Sequence, residues 1–101
     1  LVNFVKHFSN DVGPEGITVN VVHPPFTKTD RYPARLQARA EQLGVSLEEA
    51  EAGFASNFPI GRIVEPADIA PMVLFLASPG ASAVTGQAIA VDGGSTQSVT
   101  Y

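Results

Sequence analysis

Cysteine is absent from this 101-residue chain. That excludes disulfides, thiolate zinc sites and a cysteine nucleophile, and it suits a cytoplasmic location, which we expect. Basic residues are few: six Lys and Arg against ten Asp and Glu, a net charge of −4. A surface that tracks phosphates needs clustered cations. Six spread from Lys6 to Arg62 do not supply one, so no nucleic-acid partner is expected. Arg31, Arg35 and Arg39 recur at i, i+4, i+8 and share one helix face. We read that face as solvated rather than as an anion site. No apolar run reaches the ~18 residues of a membrane span, and the start has no signal-peptide layout. No membrane partner is expected.

Metal ligands are also missing. His7 has no partner at ligand spacing, and Asp92-Gly93-Gly94 offers one carboxylate, too few for a cation. A glycine turn is the better account of that tripeptide. Glu48, Glu49 and Glu51 look like paired acids, but they sit at a helix start, where negative charge complements the dipole. His23 stands at a strand end, where a structural hydrogen bond is favoured over proton transfer. With 45% hydrophobic and 16% charged residues, the composition is that of an ordinary globular chain long enough for one small core.

Leu1, Phe4, Val5, Phe8 and Val12 keep a helical rhythm. Nothing before Leu1 caps that helix, so the chain reads as the C-terminal part of a larger domain. Gly13 to Gly16 turns it, and Ile17–Val22 reads as a buried parallel strand, ended by His23-Pro24-Pro25. Two short helices follow. One runs over Pro33–Leu43 with Gly44 as its stop. The other opens at the capping box Ser46–Glu49 and places Leu47, Ala50, Phe54 and Phe58 near one side. Pro66 opens a further helix with Ile69, Met72, Val73 and Leu76 as a core stripe. Pro71 inside it predicts a bend or a shifted start. Ala88–Asp92 reads as the last strand. The class is α/β: two parallel strands and about four helices, with a long crossover between the strands.

Four segments carry a family resemblance. Leu1-Val2-Asn3-Phe4 through Gly16-Ile17-Thr18-Val19-Asn20 resembles the helix and sixth strand of the short-chain dehydrogenase/reductase family. Pro24-Pro25-Phe26-Thr27-Lys28-Thr29 resembles its Pro-Gly-x-x-x-Thr loop. Glu65-Pro66-Ala67-Asp68-Ile69-Ala70 to Phe75-Leu76-Ala77-Ser78 resembles its penultimate helix, and Thr85-Gly86-Gln87 to Val91-Asp92-Gly93-Gly94 its seventh strand. The resemblance implies that residues 1–101 are the C-terminal part of one doubly wound, Rossmann-like domain that binds NAD or NADP. It implies an oxidoreductase acting on a small-molecule alcohol or carbonyl substrate. A non-catalytic assembly module built from the same fold, or an enoyl reductase relative, is the alternative.

The family's catalytic Tyr-x-x-x-Lys is expected upstream of Leu1, and its glycine-rich loop and serine further upstream. Neither Tyr32 nor Tyr101 has a lysine four residues on, so no catalytic residue is nominated here, and the stretch alone is expected to be inactive. The resemblance gives cofactor contacts to Pro24, Pro25, Thr27 and Thr29. Pro25 stands where the family usually has glycine; it fixes φ and removes an N–H. On spacing alone, the hydroxyls of Thr27 and Thr29 serve equally well as loop caps. Residues 31–58 take the place of the family's variable substrate lid. Phe26, Tyr32, Phe54 and Phe58 are the candidates for an apolar substrate pocket; packing of the two small helices is the competing role for the last three. The helix Pro66–Leu76 and the strand Ala88–Val91 are expected to form a homo-oligomer interface.

Overall fold

The computed structural model describes residues 1–96; Tyr101 lies outside them. In chain order the elements are α1 (Val2–Val12), β1 (Val21–His23), α2 (Tyr32–Leu43), α3 (Leu47–Ala55), α4 (Pro66–Leu76) and β2 (Ala88–Ala90), with short 3₁₀ turns at Gly13–Glu15 and Pro79–Ala81. β1 and β2 pair in parallel, with Val21 opposite Ala88, Val22 opposite Ile89 and His23 opposite Ala90. The two-stranded parallel sheet and four helices are those the sequence predicts.

Both strands are shorter than expected, for one reason each. Ile17–Asn20 lies opposite a turn, not a strand. The Val19 N–H donates to Thr85 Oγ1 at 3.0 Å, and the Asn20 amide donates to the Val84 carbonyl at 3.0 Å. Asn20 Oδ1 accepts from the Gln87 N–H at 3.1 Å. One backbone bond, from the Gly86 N–H to the Val19 carbonyl at 2.8 Å, joins these side-chain bonds, and the regular ladder begins only at Val21, whose N–H reaches the Gln87 carbonyl at 2.8 Å. This also explains a polar Asn20 within an apolar run. At the other end, the Val91 N–H still reaches the His23 carbonyl at 3.1 Å. Pro24 and Pro25 then offer no N–H to continue the pairing, so β2 stops at Ala90 rather than Asp92.

The two small helices form where expected. Gly44, at φ 67°, takes the left-handed conformation that closes α2, and its N–H reaches back to the Ala40 carbonyl. Ser46 caps α3 by accepting the Glu49 N–H at 3.1 Å. The reciprocal half of the box is absent: the Glu49 carboxylate meets the Ser46 hydroxyl at 3.4 Å instead of its backbone N–H. A second cap, not anticipated, sits at α4, where the Glu65 N–H donates to Asp68 Oδ2 at 2.8 Å. α4 starts at Pro66 and continues through Pro71, so the start is not shifted. α3 ends at Ala55, so Phe58 lies beyond the helix, carried into the core by a turn in which its N–H reaches the Ala55 carbonyl at 3.0 Å.

That core is Tyr32, Phe58, Ile63 and Val64, with Phe26, Leu36, Phe54, Ala55 and Ile69 packed around it. The rest of the described residues form no comparable cluster. On α1, Phe4 and Phe8 stack on each other at 5.8 Å between centroids but remain 65% and 43% exposed. On α4, Ile69, Met72 and Leu76 are half-buried, whereas Val73, Leu74 and Phe75 are exposed. Val73 therefore falls outside the core stripe. The radius of gyration is 17.2 Å and the extents are 56 × 23 × 21 Å. A compact domain of this length has a radius near ~13 Å, so the chain is not folded around one centre.

Candidate functional site

Strand β1 delivers the chain to its C-terminal end at His23, and the Pro24–Thr29 loop follows directly. Ligands of open α/β sheets sit beyond that end of the strands. The loop is anchored at its C-terminal end by two bonds. The Lys28 N–H donates to the Val64 carbonyl at 2.9 Å, and the Tyr32 N–H donates to the Thr29 carbonyl at 3.0 Å. It is thereby tied to the core on one side and to the start of α2 on the other.

Two hollows flank this loop. One, of about 340 Å³, lies against α2 and is lined by Pro24, Pro25, Phe26, Thr27, Thr29, Arg31, Tyr32 and Arg35. The other, of about 360 Å³, lies against α4 and is lined by Pro24, Thr27, Thr29, Pro66, Ile69 and Ala70. Pro24, Thr27 and Thr29 form the ridge between them. All four loop residues singled out in the sequence therefore meet at one place.

The two threonines differ. Thr27 Oγ1 donates to the Pro25 carbonyl at 2.8 Å, a bond inside the loop. Its backbone pairs with Val64 in an isolated parallel bridge. Thr29 is exposed, and its hydroxyl bonds no described residue. A hydroxyl held on a ridge without a partner can serve a bound polar group.

The aromatic candidates form one cluster. Phe26 lies 4.9 Å from Phe54 and 6.0 Å from Tyr32 between ring centroids, and Tyr32 and Phe54 are 6.3 Å apart. Their access differs. Phe26 and Tyr32 line the hollow against α2. Phe54 lines a separate depression with Arg35, Ala38, Arg39 and Gln42. Phe58 is 4% exposed inside the core.

Tyr32 has a second feature. Its hydroxyl is buried and bonds no described residue. Burial, and then the Glu51 carboxylate nearby, push its pKa up to about 12. Glu51 is itself ion-paired with Lys28 at 3.0 Å, and that bond holds its carboxyl below the usual range. Lys28 Nζ also stands 5.2 Å from the Tyr32 ring centre. Sequence reading missed the Lys28–Glu51 pair. The partners are 23 residues apart, and no local spacing connects them.

The turn after β2 is built as its glycines suggest. Asp92 Oδ1 accepts from the Gly94 N–H at 3.0 Å and Oδ2 from the Thr96 N–H at 3.2 Å. Bonds from the Thr96 hydroxyl and these N–H groups hold the Asp92 pKa below its ordinary value. The Ile60 N–H meets the Gly93 carbonyl at 3.3 Å, which ties the turn to the segment leading into the core.

Known proteins resemble this chain over nearly its whole length. The family model described as Enoyl-(Acyl carrier protein) reductase matches residues 1–96. The NADPH-dependent reductase BacG of Bacillus subtilis is 38% identical over 98% of this chain and 38% of its own length. The 3-oxoacyl-[acyl-carrier-protein] reductase FabG of Haemophilus influenzae is 42% identical over 93% of this chain and 34% of its own. Among solved structures, a short chain dehydrogenase family protein from Francisella tularensis superposes with a TM-score of 0.83 at 35% identity, covering 96% of this chain and 40% of that one. An actinorhodin polyketide ketoreductase with NADPH gives 0.81 at 38% identity, covering 96% and 37%. The chain thus spans between a third and two-fifths of the length of these relatives.

Proposed function

The chain belongs to the short-chain dehydrogenase/reductase family, and from that premise we propose that it forms the nicotinamide side of an NAD(P)-dependent oxidoreductase. In this reading the substrate is an alcohol or carbonyl compound. The observation that carries it is the Thr29 hydroxyl, exposed and unbonded among the described residues, on a ridge at the C-terminal end of β1.

The residues suit a neutral carboxamide. Pro24 and Pro25 give up donors but leave carbonyl acceptors, and Thr29 supplies a hydroxyl that both donates and accepts. Thr27 braces the loop through Pro25. The nicotinamide, when bound, supplies the hydride chemistry. The chain's own part is to orient that ring, to cover it with residues 31–58 as a lid, and to exclude water with Phe26 and Tyr32. Tyr32 is assigned no proton-donor role: its hydroxyl is buried, and burial and Glu51 push its pKa up to about 12. The proton donor and the phosphate-binding loop belong to the remaining length of the family's domain, and residues 1–101 alone turn over no substrate.

The names of the relatives support a carbonyl substrate and NADPH. The description of the matching family model favours a second reading, reduction of an enoyl group. Assembly is the third element of the proposal. Val73, Leu74 and Phe75 leave α4 with an apolar outer face, and together with β2 this face suits a second copy of the chain.

Titration of the protein that carries this chain with NADPH and NADH, followed by turnover of a 3-oxoacyl and a trans-2-enoyl thioester, tests the reading. We expect cofactor binding and oxidation of NADPH by the 3-oxo compound. Failure to bind either cofactor contradicts the proposal, and exclusive turnover of the enoyl compound moves it to the second reading.

A further inference from the structure

We propose that Arg31 and Arg35 form a receptor for an anionic group, carboxylate or phosphate, on the substrate. The inference rests on the reading of the Pro24–Thr29 loop given above and adds the class of substrate. Four of the six cations of this acidic chain lie between Lys28 and Arg39. Two cations have carboxylate partners: Lys28 is paired with Glu51, and Arg62 with Asp68. Arg39 meets the Gln42 side chain at 3.4 Å. Arg31 and Arg35 reach no carboxylate among the described residues.

These two arginines line the hollow that also holds Phe26, Thr29 and Tyr32. No acid is among the lining residues. Asp30, beside Arg31 in the chain, is exposed and outside the lining, and Glu51 is engaged by Lys28. Arg35 is held in place, with its guanidinium carbon 4.9 Å from the Phe26 ring centre. The first turn of the 12-residue α2 opens at the same hollow, with Arg31 at its N-cap and Tyr32 as its first residue. Its dipole adds to the positive field. A planar guanidinium pair beside a hydroxyl suits a carboxylate or phosphate. A merely solvated arginine face, the reading the sequence favours, does not account for two of the three arginines lining a concavity at the Pro24–Thr29 loop.

The same chemistry has two sources, the substrate and the cofactor's own diphosphate, and the test separates them. Phenylacetate, phenyl phosphate and the neutral phenylacetamide are titrated calorimetrically into the protein that carries this chain. The Arg31→Gln/Arg35→Gln variant is titrated in parallel, and the NADPH dissociation constant is measured for both. We expect at least one anion to bind about tenfold tighter than the amide, and the double variant to lose that advantage while NADPH affinity stays within about twofold. Should the double variant fail to fold, Arg35→Lys keeps the charge but loses the planar fork, and is expected to retain part of the preference. Equal binding of amide and anions by the native protein overturns the proposal, as does a preference that survives in the double variant. A fall in NADPH affinity with the anion preference unchanged assigns the pair to the diphosphate instead. A native protein that prefers the anions but binds no NADPH leaves the receptor standing and removes the cofactor reading.

Discussion

The α2–α3 half and the sheet half of this molecule solve the burial problem in opposite ways. Around α2 and α3, Tyr32, Phe58, Ile63 and Val64 come from three separate stretches and close on one another, all of them buried. Around the sheet, α1 and α4 keep Phe4, Phe8, Leu74 and Phe75 on the outside, and β1 and β2 carry no fully buried residue. The first half holds itself together. The second buries few side chains among the described residues, chiefly Val5, Ser9 and Ala81, and is held by the β1–β2 ladder together with polar stitches such as Asn20 to Val84 and Gln87.

Truncating one phenylalanine in each half breaks this comparison most sharply. Phe58→Ala empties the centre of the buried cluster and is expected to cost ~3–5 kcal/mol. Phe75→Ala removes a ring that is 48% exposed and is expected to change folding stability by only about 0.5 kcal/mol. Its effect should appear as weaker self-association instead. Urea melts and sedimentation of the two variants distinguish the cases. Similar losses of stability would place Phe75 in a core that the described residues do not show.

A smaller effect is expected where the halves of the sheet region meet. Gly86 has φ 69°, and a Cβ there would stand 2.7 Å from Ser9 Oγ and 3.1 Å from Lys6 Cδ. α1 is therefore docked directly on the turn before β2, with Ser9 buried and its hydroxyl turned back to the Lys6 carbonyl at 2.7 Å. Gly86→Ala is expected to cost ~1–2 kcal/mol from the left-handed backbone alone, with a further loss from the contact with Ser9. Hydrogen exchange should show the loss in α1 and β2 and leave α2 and α3 protected.

The cap of α4 provides a pH test. Arg62 meets both Asp68 oxygens at 2.7 Å. That bond, followed by the Glu65 N–H, holds the Asp68 pKa down to about 2. A depressed folded-state value means the contribution is fully present above the ordinary 3.8 and is lost as pH falls toward about 2. Asp68→Asn should remove this acid-limb dependence while leaving the slope above pH ~5 unchanged. Melting temperatures measured across that window check it, and an identical acid limb in the variant would show that the pair does not contribute. The pair is exposed, so the effect should be small.

Much of this was legible in the sequence because it is encoded locally. Gly44 as a helix stop, Ser46 as a cap and the proline pair as a strand end each act within a few residues. The Pro24–Thr29 loop was singled out as a candidate site through the family resemblance, not through local encoding. What sequence reading misplaced depends on partners distant along the chain. Ile17–Asn20 has strand composition, but its neighbour is the Thr85–Gln87 turn, more than sixty residues away. Phe58 has the spacing of a helical residue, but the core draws it in after the helix has ended. Thr27 and Thr29 are indistinguishable as letters; the bond from Thr27 to Pro25, its bridge to Val64 and the exposure of Thr29 separate them.

That separation supports the smallest predicted effect and the most direct test of the account, which holds that the Pro24–Thr29 loop receives the cofactor. Thr29→Val removes a hydroxyl that no described residue uses, so the melting temperature without cofactor should hardly move. If that hydroxyl serves the cofactor, one hydrogen bond worth ~0.5–1.5 kcal/mol is lost, and the NADPH dissociation constant should rise several-fold in the protein that carries this chain. An unchanged dissociation constant would contradict the account and leave Thr29 a surface residue of the loop.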